Sequence, residues 1–186
     1  MSRIATVDPN TATGDARRLL DAVHSQLGAV PNFIRVLANS PKALEAFLGL
    51  YDAAAAFSLD KATQERIALS VAESNSCQYC VSAHAAIGRR AGLSNEEMLL
   101  NRQGTSGDRN AATAVAFARA VNDNLGEVTT AELNTARAAG LSDAQIVEII
   151  TVVVLNIYTN IVGKAIQVDI DFPKVDLLGA PSRRTA

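Results

Sequence analysis

Ser142-Asp143-Ala144-Gln145 is a capping box, and it opens an apolar segment that runs from about residue 146 to 170. Ile146-Val147-Glu148-Ile149-Ile150-Thr151-Val152-Val153-Val154-Leu155-Asn156-Ile157-Tyr158 is apolar nearly all round. A helix of that kind needs apolar neighbours on every side, so it is central to a core or shared with a partner subunit. A membrane span competes, but Glu148, Asn156, Asn160 and Lys164 interrupt the run and leave no uncharged stretch of bilayer length. Val152-Val153-Val154-Leu155 alone would suit a strand; its flanks extend to helix length, so it is read as helix. The core is the favoured place for this segment, and a subunit interface the second.

Helix after helix precedes it. Residues 12–27 suit a helix stopped by Gly28, with Pro31 beyond. Ser40-Pro41 is a cap followed by proline at the first helical position, and 43–57 follow as helix. Residues 60–73 carry Ile67, Leu69 and Val71, and a further helix from about Ser76 ends near Gly92. Ser94-Asn95-Glu96-Glu97 and Thr129-Thr130-Ala131-Glu132 read as two more capping boxes, and Asp108 caps a helix to about residue 124. Ala91-Gly92-Leu93-Ser94 recurs as Ala139-Gly140-Leu141-Ser142, a favoured stop/start sequence used twice rather than a duplication. The expectation is therefore an all-α fold. Aromatics are 4% and Trp is absent, so its core is aliphatic, with Phe47, Tyr51, Phe57 and Phe117 placed in it by their helical spacing. From residue 172 the tail looks irregular.

The chain of 186 residues fits one domain with an extension. Its net charge of −2 is interspersed and forms no basic stripe, which argues against a nucleic-acid partner. Met1-Ser2-Arg3-Ile4-Ala5-Thr6-Val7-Asp8-Pro9 lacks the apolar core of an export signal, so the expected place is the reducing cytoplasm. There a two-cysteine pair points to catalysis or metal binding rather than to a structural staple.

That pair lies in Glu73-Ser74-Asn75-Ser76-Cys77-Gln78-Tyr79-Cys80-Val81-Ser82-Ala83-His84. On a helix from Ser76, Cys77, Cys80 and His84 stand at i, i+3 and i+7 on one face. A free thiol near pKa 8.5 is only a few per cent thiolate at neutral pH. A helix N-terminus contributes roughly 0.3–1 kcal/mol, less than one pKa unit, so His84 is needed as cationic neighbour or base. The dipole favours Cys77 as thiolate, histidine proximity favours Cys80, and spacing does not decide between them. On the preceding helix Glu65 shares a face with Ala68, Leu69 and Ala72. Burial there would raise its pKa into a range useful for proton transfer unless something pairs it, Arg66 being the ordinary candidate. Glu73, near a helix end, is expected in solvent, as are His24 and the Arg89-Arg90 pair.

Glu65, twelve residues before a CxxC, with His84 four residues after the second cysteine, resembles the pattern of the alkylhydroperoxidase D-like, or carboxymuconolactone decarboxylase, family. Val30-Pro31-Asn32-Phe33-Ile34-Arg35 through Ser40-Pro41-Lys42 is similar to its peroxidase-related branch. The resemblance covers about residues 28–95. It implies one helical domain over 1–186, with an N-terminal helical extension (about 1–57), a CxxC core (about 58–104) and an irregular tail (about 172–186).

It also implies a peroxidase that uses no haem, metal or other cofactor. Cys80 would be oxidised to a sulfenic acid and Cys77 would resolve it as a disulfide. His84 and Glu65 would relay protons, and a dithiol or dihydrolipoyl-type protein would be the reductant. Family members are commonly trimers or hexamers. Alkylhydroperoxidase D has histidine between the cysteines where this chain has Tyr79, which removes one relay member. The decarboxylases generally lack the thiol pair, which argues against lactone decarboxylation.

Three other readings share these residues. Zinc on Cys77, Cys80 and His84 lacks a fourth ligand. A c-type haem would need histidine where Val81 stands. A disulfide reductase or a non-enzymatic redox regulator would use the same dithiol without peroxide turnover.

Overall fold

Nine α-helices occupy residues 1–179, the part of the chain that the computed structural model describes. They are α1 (Gly14–Leu27), α2 (Asn32–Leu37), α3 (Pro41–Ala55), α4 (Lys61–Ser74), α5 (Gln78–Arg90), α6 (Asn95–Arg102), α7 (Arg109–Asp123), α8 (Thr130–Ala138) and α9 (Asp143–Ile166). No strand occurs among the described residues, so the fold is all-α as the periodicity implies.

The helix starts are set chemically. Ser40, Asp60, Ser94, Asp108, Thr129 and Ser142 each accept a hydrogen bond from a backbone N–H of the first turn. Thr129 with Glu132 and Ser142 with Gln145 are complete capping boxes. The Ser94 box is half formed, because the Glu97 carboxylate is drawn elsewhere. It accepts from Arg66 at 2.8 Å, Asn101 at 2.9 Å and the Gly107 N–H at 2.9 Å, and also from Ser106. Two boundaries differ from expectation. The six-residue α2 is too short to stand on propensity; burial of Phe33, Ile34, Val36 and Leu37 holds it. α9 stops at Ile166, where Gln167 turns left-handed (φ 53°) and sends Val168 into the core on another heading.

α4 is the central element. It packs against α5, α6, α7 and α9, and Ile67, Leu69, Val71 and Ala72 are fully buried. Each aliphatic side chain buried this way contributes about 1.5–3 kcal/mol. Ile67 and Val71 join Val115, Ala118, Ile149 and Val153 in one core cluster, and Ala72 joins Leu20, Leu44, Val81 and both cysteines in another. Phe117 is buried in the former.

α9 is long and apolar enough, by length and composition alone, to cross a bilayer, so the interruptions do not exclude a span on those grounds. Its place in the fold accounts for it. Ile146, Ile149, Val152 and Val153 face the core. The polar interruptions all find internal partners: Glu148 accepts from Ser58 at 2.9 Å, Asn156 donates to the Val152 carbonyl at 2.8 Å, Asn160 accepts from Asn75 at 3.0 Å and Lys164 donates to the Asn75 carbonyl at 2.7 Å.

The tail through residue 179 is irregular but tied down, and the rest of the expected 172–186 tail lies outside the described residues. Val175 N–H donates to Ser82 Oγ (3.0 Å) and Leu178 N–H to Glu73 (2.6 Å). Glu73 is accordingly not in solvent: Arg102 pairs with it at 2.7 Å, both side chains nearly buried, because the tail covers that helix end.

Burial opposes ionisation of Glu97, but hydrogen bonds led by that from Ser106 outweigh it and bring its pKa down to about 2. A carboxyl lowered on folding stabilises above its unfolded value and loses that contribution as pH falls through the folded one. Urea unfolding followed from pH 5 to pH 2 should show stability falling across that window. Glu97→Gln should flatten the slope, and a parallel slope in the variant would contradict this account.

Candidate functional site

The site starts at the turn from α4 to α5. Ser76 N–H bonds to the Glu73 carbonyl and Cys77 N–H to the Ala72 carbonyl, both at 2.9 Å, which is a Schellman arrangement. Ser76 holds its left-handed position at φ 53°, where glycine is the unstrained residue. The Asn75 amide donates to Asn122 and Asn160, and with Lys164 on the Asn75 carbonyl this ties the turn to α7 and α9.

Cys77 is the N-cap of α5 rather than its first turn, its sulfur accepting weakly from the Cys80 N–H at 3.4 Å. The two cysteines are joined as a disulfide with Cα atoms 5.3 Å apart. They are 1% and 3% exposed. Cys80 lines a cavity of roughly 160 Å³, while Cys77 lies behind it against α9.

His84 lines the same cavity one turn beyond Cys80. Its Nδ1 is 2.8 Å from Glu65 Oε2. Glu65 is 2% exposed, and its other oxygen is 3.0 Å from Lys61 Nζ. The structure thus brings Cys77, Cys80, His84 and Glu65 together. The raised pKa expected for Glu65 is corrected: burial pushes it up, but His84 and then Lys61 outweigh that and hold the carboxyl below its usual range. An ionised carboxylate only accepts, so the proton of a neutral His84 sits on Nδ1 and leaves Nε2 bare. Arg66 does not pair with Glu65; it turns to Glu97 on α6.

Sequence reasoning missed Lys61. Its signal was available, a lysine one turn before a buried glutamate on one helical face. Phe47 and Tyr51 are partly buried and line the cavity, Phe47 also packing against the core, with Phe33, Tyr79 and Phe172 completing an aromatic lining. The cavity forms where α1, α2, α3, α9 and Phe172 of the tail meet α4 and α5, a convergence no local pattern encodes. Tyr79 points its hydroxyl at the Phe33 N–H (3.2 Å) and at Asp171. Burial and then the Asp171 charge raise its pKa above the ordinary phenol value, so it stays protonated and acts as a clamp between α2 and the tail. His24, Arg89 and Arg90 are exposed. Among the described residues no three His, Cys, Asp or Glu side chains converge as a metal ligand set.

Residues 41–121, which contain all four of these side chains, match the model of the carboxymuconolactone decarboxylase family. This segment belongs to the carboxymuconolactone decarboxylase family. Over 91% of its length the chain is similar to 92% of an alkylhydroperoxidase AhpD core, an uncharacterized peroxidase-related protein from Ralstonia eutropha JMP134, with TM-score 0.81 and 25% identity. A second peroxidase-related protein, from Silicibacter sp. TM1040, gives TM-score 0.76 at 25% identity over 88% of this chain and 90% of that one. The debrominase Bmp8 in complex with 2,3,4-tribromopyrrole shares the fold, with TM-score 0.77 at 19% identity over 90% and 91% of the two chains. No curated protein matches the chain in sequence. The fold is thus that of the AhpD-like, peroxidase-related members of this family.

Because Ser76 is a non-glycine residue in the left-handed region, Ser76→Gly should relieve about 1 kcal/mol of strain and raise the melting temperature by roughly 2–4 °C. A lower melting temperature would mean that the Ser76 side chain supports the turn.

Proposed function

We propose that the protein is a thiol-dependent peroxidase that reduces hydrogen or organic hydroperoxides through Cys80 and Cys77. The observation that carries this reading is the division of the two sulfurs. Cys80 opens on an aromatic-lined cavity that also holds His84, whereas Cys77 is enclosed behind it. Cys80 is accordingly the attacking thiol and Cys77 the resolving one.

In the reduced protein, His84 Nε2 takes up the Cys80 proton while Glu65 stabilises the imidazolium from the Nδ1 side. The thiolate attacks the distal peroxide oxygen, the O–O bond breaks, and the alcohol leaves with the proton returned by His84. Cys80 is left as a sulfenic acid. Cys77 then attacks the Cys80 sulfur, the S–O bond breaks, water departs and the disulfide forms. A dithiol reductant, of dihydrolipoyl type or a protein dithiol, restores the pair in a reducing compartment such as the cytoplasm. The cycle calls for no metal or organic cofactor. The cavity that Cys80 lines suits a small hydroperoxide as substrate.

Mixing the reduced protein with cumene hydroperoxide in single turnover tests the reading. Two thiols should be lost per peroxide, far faster than from a free thiol. Glu65→Gln should slow this by roughly 10²-fold, the scale of acid–base assistance. Cys80→Ser should abolish it, and Cys77→Ser should stop at the sulfenic acid. Oxidation no faster than a free thiol's, and unchanged by Glu65→Gln, would leave a redox regulator in its place.

We also infer a homo-oligomer, a trimer or hexamer. Val147, Val154, Tyr158 and Ile161 form an exposed apolar stripe along α9 that a second copy would cover. Light scattering of the intact protein should give a multiple of 19.6 kDa, and a monomer at micromolar concentration would refute the inference.

A further inference from the structure

Gly163 lies buried in the last turn of α9, where its backbone makes no use of glycine's freedom: it is helical and without positive φ. A glycine so placed weakens a helix by roughly 1 kcal/mol relative to alanine. Something outside the backbone must account for it. A Cβ at this position would lie 3.3 Å from Cys77 Sγ and 3.7 Å from Cys80 Sγ, and no other atom beyond its own helix backbone and chain neighbours comes within 4 Å. The contrast with Gly49 in α3 is direct, since a Cβ there meets nothing within 4 Å.

The two distances are unequal in effect. At 3.7 Å a methyl group makes ordinary contact with Cys80. At 3.3 Å it intrudes on Cys77, a sulfur that has no cavity to retreat into. Cys77 is enclosed and anchored as the α5 N-cap, its own N–H bonded to the Ala72 carbonyl. Relief requires the Cys77 sulfur to give by a few tenths of an ångström from where it bonds to Cys80.

We propose that Gly163 is a positioning residue for the resolving step: its missing side chain is the seat of the Cys77 sulfur in the disulfide state. The proposal rests on the dithiol cycle proposed above. In that step Cys77 attacks the Cys80 sulfenic sulfur, an S–S bond replaces the S–O bond, and the oxygen leaves as water with the Cys77 proton. The attack needs Cys77 Sγ in the seat. The methyl of Gly163→Ala crowds the disulfide and leaves the separated thiols free to relax.

Two measurements test this on the intact protein. The first equilibrates wild type and Gly163→Ala against dithiothreitol and its oxidised form and counts thiols, with no peroxide present. The variant's equilibrium should shift at least tenfold toward the dithiol, about 30 mV in potential. After a peroxide pulse its Cys80 sulfenic acid, trapped with dimedone, should also persist longer than in the wild type. The second compares melting temperatures in a Cys77→Ala background, which removes the crowded sulfur and covers the case in which Gly163→Ala alone folds poorly. There the added methyl should raise the melting temperature, as helix propensity dictates. An unchanged thiol–disulfide equilibrium, or a loss of stability that persists without the Cys77 sulfur, would overturn the role of Gly163. A wild type inert to peroxide whose dithiothreitol equilibrium still shifts with Gly163→Ala would sink the peroxidase reading and leave the seat standing.

Discussion

The structure depends on keeping one carboxylate ionised inside its central helix. α4 is packed by four other helices, and Glu65 sits among its buried residues. An unpaired ion there would cost several kcal/mol. Pairing comes from two directions: Lys61 one turn earlier on α4, and His84 from α5. The second contact fixes how α5 lies against α4. Because Cys80 is on α5 one turn before His84, the same contact sets where the reactive sulfur meets the cavity. Fold geometry and candidate chemistry thus share one buried carboxylate and the partners that hold it.

α9 completes the arrangement, packing against both α4 and α5. Its polar residues, which look like flaws in an apolar helix, hold the α4–α5 turn: Asn160 and Lys164 both bond to Asn75, two residues before Cys77. One turn separates Asn160 from Gly163, so the groups that position the turn and the space that receives its sulfur belong to one stretch of α9. The tail adds an outer cover, hydrogen-bonded to Gln78, Ser82 and Glu73 and packing Phe172 edge-on against Tyr79. The result is a disulfide whose Cys80 side lines the cavity and whose Cys77 side is closed by α9.

Much of this was legible in the residues. Capping side chains at Ser40, Asp60, Asp108, Thr129 and Ser142 satisfy N–H groups within a few residues of themselves, so their helix starts are local facts. Ser94 shows the limit. Its box partner Glu97 was equally well spaced, but Arg66, Ser106 and Gly107 arrive from elsewhere in the chain and take the carboxylate. α2 failed for the converse reason: nothing local makes it a helix, and burial of four side chains against distant elements does.

By itself the sequence determined an all-α chain and set Cys77, Cys80 and His84 on one face, because helical periodicity, caps and the spacing of those side chains are written over one or two turns; Glu65 joined them only through the family resemblance. Only the tertiary structure decided how those groups behave. It paired Glu65 with Lys61 and His84, turned the Tyr79 hydroxyl toward Asp171, gave Cys80 a cavity and placed Cys77 against Gly163. Charge state, exposure and room depend on what other segments bring to within a few ångströms. Such neighbours can lie 89 residues away along the chain, as Lys164 does from Asn75, and local spacing cannot carry that information.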